Sequence, residues 1–85
     1  FSPNNASILN NLGNIEMQEG NIREAAQFYE KSFSFDDSDF QTAINLVKAF
    51  IKLEDKPAAK KWLEIANTID TRFSEYYNKI INQLK

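Results

Sequence analysis

Acid–base chemistry in this chain would have to come from carboxylates and amines, because the sequence holds no histidine and no cysteine. Without histidine the usual general base and the commonest metal ligand are gone. Without cysteine there is neither thiolate chemistry nor a disulfide framework. A hydrolase built on paired carboxylates would need two acids converging in a pocket. Acids such as Glu19, Glu24 and Glu30 are instead scattered over solvent faces, so no catalytic residue is expected. A carboxylate-only cation site stays open, but no D-x-[DN]-x-[DN]-G loop is present. Gly13 and Gly20 are the only glycines, which excludes the phosphate-cradling and dinucleotide motifs. Asn5-Ala6-Ser7 matches the glycosylation sequon, a pattern that arises often by chance. No cofactor and no metal are expected. What remains is recognition by amides, ammonium groups and apolar side chains.

The bulk properties fit that role. Eighty-five residues make one small domain, 1–85. No apolar run exceeds three residues (Ala49-Phe50-Ile51), so no membrane insertion is expected. The start, Phe1-Ser2-Pro3-Asn4, lacks the regions of a signal peptide, and a cytoplasmic location is expected. The net charge of −2 is unevenly spread. Residues 6–39 set Arg23 and Lys31 against seven carboxylates, whereas residues 40–85 carry eight cations against five. Neither half concentrates the basic face that nucleic acid would require.

The elements that position these groups follow from a period of 34 residues. That shift aligns Leu12 with Leu46 and Ile80, Ala25 with Ala59, Tyr29 with Leu63, and Ser32 with Ala66. Within each period apolar residues recur at helical spacing, as in Ile8, Leu9, Leu12 and Ile15. The reading is five helices, at 5–18, 22–35, 39–53, 56–69 and 73–84. Gly20 is a natural C-terminal cap for the first. Ser38-x-x-Gln41 reads as a capping box opening the third, and Pro57 is tolerated in the first turn of the fourth. Short connections make neighbouring helices antiparallel.

The period, with Leu12-Gly13, Gly20, Ala25 and Tyr29, resembles the tetratricopeptide repeat, whose pattern is W-x₂-L-G-x₂-Y…A-x₃-F…P. Leu46, Phe50, Ala59, Leu63 and Ala66 fill the corresponding slots one period on. The resemblance covers essentially the whole chain. Residues 1–5 resemble the tail of a preceding repeat, with Pro3 in the proline slot. Residues 6–39 are repeat one, 40–73 repeat two, and 74–85 a closing helix or the start of a third. The implied fold is an all-α, right-handed α–α superhelix. It also gives a reason for Gly13, which would otherwise cost its helix about 1 kcal/mol relative to alanine. The Gly13 and Ala25 slots lie where the two helices of a repeat cross most closely.

Several slots depart from the family pattern. Glu16 stands where an aromatic is preferred, a slot Phe50 and Leu84 fill later. Val47 and Ile81 stand where Gly13 stands. Leu9 and Ala43 replace the tryptophan, Tyr77 restores an aromatic, and Asp37 and Thr71 replace the proline. Glu54 replaces the turn glycine, so that turn must avoid a left-handed residue or strain one.

In such stacks the first helix of each repeat lines a concave face. By resemblance this face shows Ser7, Asn10, Asn11, Asn14, Met17 and Gln18 from the first repeat. Gln41, Ile44, Asn45, Lys48 and Lys52 follow from the second, and Asn78, Lys79 and Asn82 from the last helix. An asparagine amide offers acceptor and donors and can hold an extended peptide backbone. Asparagine is also a poor helix-interior residue, so several on one face point to binding. The competing reading is a solvated polar face. Lys48, Lys52 and Lys79 would meet acidic side chains, and Met17 with Ile44 would give an apolar floor. These side chains are expected to point away from the helix seams.

A carboxylate clamp for acidic chaperone tails is not expected. Asn14, Asn45 and Lys79 match it, but Asn10 and Glu75 stand where it uses basic residues. The aromatics Phe28, Tyr29, Phe33, Phe35, Phe50 and Phe73 fall mostly on packing slots rather than forming a base-stacking platform. Trp62 is expected on the convex surface, and Lys60-Lys61 on a solvated flank. The function read from all this is a non-catalytic scaffold that binds a protein or peptide in its concave groove. The alternative is a self-association module. By resemblance the chain starts in mid-repeat, so Ile8 and Leu12 are expected to lack a covering helix, and the unequal charge halves are expected to favour weak contacts between copies.

Overall fold

Two aspartates decide where the third and fourth helices begin. In the computed structural model, which describes residues 4–83, Asp39 Oδ1 accepts from the backbone N–H of Gln41 and of Thr42, at 3.0 and 3.4 Å. Asp55 Oδ1 accepts from Ala58 N–H at 3.2 Å. Each thereby satisfies donors that a helix start leaves open. The capping residue of the third helix is therefore Asp39 and not Ser38, whose hydroxyl instead donates to Asp36 Oδ1 at 2.8 Å. Pro57 sits in the first turn of the fourth helix, where its missing N–H is harmless.

The described residues form α1 (Asn4–Gln18), α2 (Ile22–Phe35), α3 (Phe40–Lys52), α4 (Lys56–Ile69) and α5 (Ser74–Gln83), with no strand. A 3₁₀ turn at Thr71–Phe73 precedes α5, so the last helix begins one residue later than expected. Asp70 and Arg72 brace that turn. Arg72 donates from Nη2 to Asp70 Oδ2 at 2.8 Å and from Nε to Oδ1 at 3.0 Å. These bonds hold the Asp70 carboxyl below the usual carboxylate range. Readings that rest on Phe1, Ser2, Pro3 and Leu84, or on the side chains of Phe73 and Tyr77, lie outside the described residues.

Successive helices pack on one another: α1 on α2, α2 on α3, α3 on α4, and α4 on α5. The shortest extent of the molecule, 17 Å, holds two helix layers and not three. Small residues sit in the seams. Ala25, Ala43, Ala49, Ala59 and Ala66 are buried, together with Tyr29, Leu46, Val47 and Leu63. The all-α helical-repeat architecture is as the sequence implies.

Gly13 does its work against a ring rather than a backbone. A Cβ built there would lie 2.5 Å from Tyr29 Cε1 and 2.7 Å from Cδ1. The close approach is thus between the α1 backbone and the ring of Tyr29. One period on, the two slots hold Val47 and Leu63, both fully buried. A medium pair there replaces the smallest and largest members of the first.

Trp62 faces inward and not onto the convex surface expected for it. It is 7% exposed and belongs to the core, its ring edge-on to Phe33 with centroids 5.1 Å apart and planes at 83°. Lys61 Nζ lies 5.2 Å from the Trp62 ring centroid. The indole turns inward because α2 presents Phe33 to it, a partner that the order of residues along α4 does not reveal.

The three slots Ile8, Leu12 and Ile15 are 55%, 38% and 48% exposed, whereas their equivalents Thr42, Leu46 and Ala49 are fully buried. The difference lies in the neighbour. The α3 set is covered by the first helix pair, and nothing in the described residues covers the α1 set.

Both inter-helix turns at 19–21 and 53–55 close the same way. Gly20 N–H donates to Met17 O and Asn21 N–H to Glu16 O; Glu54 N–H donates to Ile51 O and Asp55 N–H to Phe50 O. This pair of hydrogen bonds needs a left-handed residue. Gly20 supplies it at φ 85°, but at the second turn Glu54 is forced to φ 59°. A side chain in that region is strained by about 1–2 kcal/mol. Glu54→Gly should therefore stabilise the fold by about 1 kcal/mol in urea denaturation, and a lower or unchanged midpoint would contradict a strained turn.

Candidate functional site

The face that the sequence marks as a binding surface is carried by α1, α3 and α5. Hydrogen bonds between side chains tie the first two helices together. Gln41 Nε2 donates to Asn45 Oδ1 at 3.0 Å, and Asn45 Nδ2 donates to Asn10 Oδ1 at 3.3 Å. Thr42 Oγ1 lies 2.8 Å from Asp39 Oδ2 and 3.2 Å from Asn10 Oδ1. Its single proton can serve only one acceptor at a time. Asn10 is thus the point where α1 meets α3, through residues 32 and 35 positions further on.

Asn14 is engaged differently. Its Oδ1 accepts from the Tyr29 hydroxyl at 2.6 Å. Tyr29 is 2% exposed, and burial raises its pKa, so the hydroxyl stays a donor at neutral pH. Nearby, Ser32 Oγ donates to the Ala6 carbonyl at 2.7 Å. Gly13 and Asn14 therefore act on one residue, the first seating the Tyr29 ring and the second satisfying its hydroxyl.

These bonds overturn one expectation. Asn10, Asn14 and Asn45 do not point away from the seams. They stitch α1 to α2 and to α3, because a side chain at the edge of the face is within reach of the neighbouring helix. Asn11, Lys48, Lys52, Asn78, Lys79 and Asn82 are exposed. Met17 is half-buried and packs on the core instead of forming an open floor.

Between α3 and α5 the face is indented. A shallow depression of about 260 Å³ is lined by Phe40, Gln41, Ile44, Lys48 and Tyr76. Gln41, Ile44 and Lys48 were legible as face residues, whereas Phe40 and Tyr76 were not. Tyr76 stands in the slot of Ile8 and Thr42, which reads as packing, and only the spacing of α3 and α5 turns it toward Lys48. A larger hollow beside Gln27, Phe28, Glu30, Lys31 and Ser34 belongs to α2 alone.

Among the described residues no three acidic side chains gather to hold a metal ion. Nor is any helix there long and apolar enough to cross a membrane.

The asparagine bonds make a measurable prediction. Asn14→Ala should lower stability by about 1 kcal/mol, because it leaves the buried Tyr29 hydroxyl without its acceptor. In a domain of this size that is roughly 4–8 °C in melting temperature. Tyr29→Phe added to Asn14→Ala should cost little more, since both remove the same bond. Fully additive losses would show that the bond is not shared.

Comparison with known proteins bears on these same residues. No curated protein matches the chain. Residues 6–39, which hold α1, α2, Gly13 and Tyr29, match the family model for the tetratricopeptide repeat. That family generally mediates contacts between proteins and is generally non-catalytic. Through this helix pair and its glycine-seated aromatic ring, residues 6–39 are similar to a tetratricopeptide repeat.

Proposed function

We propose that this chain is a non-catalytic interaction module that binds a peptide or partner helix along the α1–α3–α5 face. In this reading residues 40–73 are a second repeat, and 74–85 a closing helix or the first helix of a third. The observation that carries it is the division of labour on that face. Asn10, Asn14 and Asn45 hold the helices in place, while Asn11, Lys48, Lys52, Asn78, Lys79 and Asn82 stand exposed beside an apolar depression. Exposed amides would pair with the partner's backbone, and the three lysines would meet its carboxylates. A neutral to mildly acidic partner fits best. A chain without cysteine also suits the reducing cytoplasm.

The exposed stripe of Ile8, Leu12 and Ile15 supports a second reading, in which that side packs on another helix as part of an assembly. Nucleic acid enters neither reading.

The partner recovered with the intact protein provides the test. Lys48→Glu combined with Lys79→Glu should weaken it by about tenfold or more while leaving the melting temperature unchanged. Lys61→Glu, on α4, should leave binding intact. Loss of binding in Lys61→Glu with full binding in the double variant would place the site on the other layer.

A further inference from the structure

The depression between α3 and α5 has a composition that narrows what it accepts. Three of its five lining residues are apolar or aromatic: Phe40, Ile44 and Tyr76. Gln41 is held by its bond to Asn45. The remaining group is Lys48, one helical turn from Ile44 and exposed. At about 260 Å³ it falls below the roughly 300–1,000 Å³ of sites that enclose a small molecule. Its size suits one large side chain entering from an open surface.

Charge is graded along the face as well. The α1 positions Ser7, Asn10, Asn11, Asn14, Met17 and Gln18 carry no charge. Lys48 and Lys52 lie on α3 and Lys79 on α5, and Glu75 is the one carboxylate among the face positions of α5, outside the lining of the depression. A partner crossing from α1 to α5 thus passes from a neutral surface to a basic one that contains the apolar dip.

We infer that this depression is an anchor site for one large apolar side chain of an extended peptide, flanked by carboxylates that Lys48 attracts. The inference rests on the α1–α3–α5 face being the binding surface, and it adds the residue type recognised and the direction in which the peptide lies. The apolar side chain contacts Phe40, Ile44 and Tyr76, where water is readily displaced. The flanking acids face Lys48 first and then Lys52 or Lys79. The opposite end of the peptide meets the amides of α1, which read backbone alone. Specificity lies at α3–α5, and α1 contributes contact without selection.

Three capped pentapeptides, acetyl-DDLDD-amide, acetyl-DDADD-amide and acetyl-KKLKK-amide, test this by backbone amide NMR titration of the 85-residue chain. The acidic leucine peptide should shift the amides of Ile44, Lys48 and Tyr76 in a saturable way that weakens with added salt. The alanine and lysine peptides should bind about tenfold more weakly, the first for lost apolar contact and the second for like-charge repulsion. Lys48→Glu should reverse the order of the acidic and basic leucine peptides. Equal binding of all three, or no shift at Ile44, Lys48 and Tyr76, overturns the anchor site. If shifts then map to Asn11, Asn78 and Asn82, the face still binds and only the anchor falls. If they map to Lys61 and Trp62, both fall.

Discussion

The ring of Tyr29 lying on the bare backbone of Gly13 is the contact from which the rest of the molecule is set out. With Cε1 only 2.5 Å from where a Cβ would stand, no other residue fits at position 13 while Tyr29 stays in place. The ring fills the seam between α1 and α2, and its hydroxyl must then find a partner, because a buried donor left unpaired costs about 1–3 kcal/mol. Asn14, the next residue, supplies the acceptor. Ser32, one turn along α2, donates to Ala6 at the far end of α1. The first helix pair is thereby fixed along its length and toward its open end, and α2 can present Phe33 to Trp62.

The orientation of α1 decides in turn which of its polar groups reach α3. Asn10 meets Thr42 and Asn45 only because the first pair is locked in its crossing. Helix α3 then carries Ile44 and Lys48 to the depression shared with Tyr76 of α5. Packing that looks purely structural in the first helix pair thus positions the residues that would meet a partner 30 or more positions further on. Asparagine serves both ends of this chain of consequences. Where it touches a neighbouring helix it is part of the scaffold, and at Asn11, Asn78 and Asn82 it is exposed to solvent.

The period of 34, the small residues at Gly13, Ala25, Ala59 and Ala66, and the turns at Gly20 and Asp55 were legible because each is a local or strictly periodic signal. Glu54 in the glycine slot was legible as a dilemma, and the structure resolves it as strain. Ser38 and Asp39 are both competent caps, and one residue of helix phase chooses between them. Trp62, Asn14 and the Phe40–Tyr76 depression were misread or missed for one shared reason. Each depends on which side chain of a separate helix lies opposite, and that is set by crossing geometry rather than by position along one helix.

A double-mutant cycle on the Gly13–Tyr29 contact tests this account most directly. Gly13→Val and Tyr29→Leu together place in the first pair the residues that fill the second, Val47 and Leu63. Each single change should be destabilising in urea denaturation, Gly13→Val by overpacking against the ring and Tyr29→Leu by emptying the seam. The double variant should recover much of the loss, with a coupling energy of about 1–3 kcal/mol. Losses that simply add, to within about 0.5 kcal/mol, would show that the ring and the glycine do not depend on one another and would contradict the account.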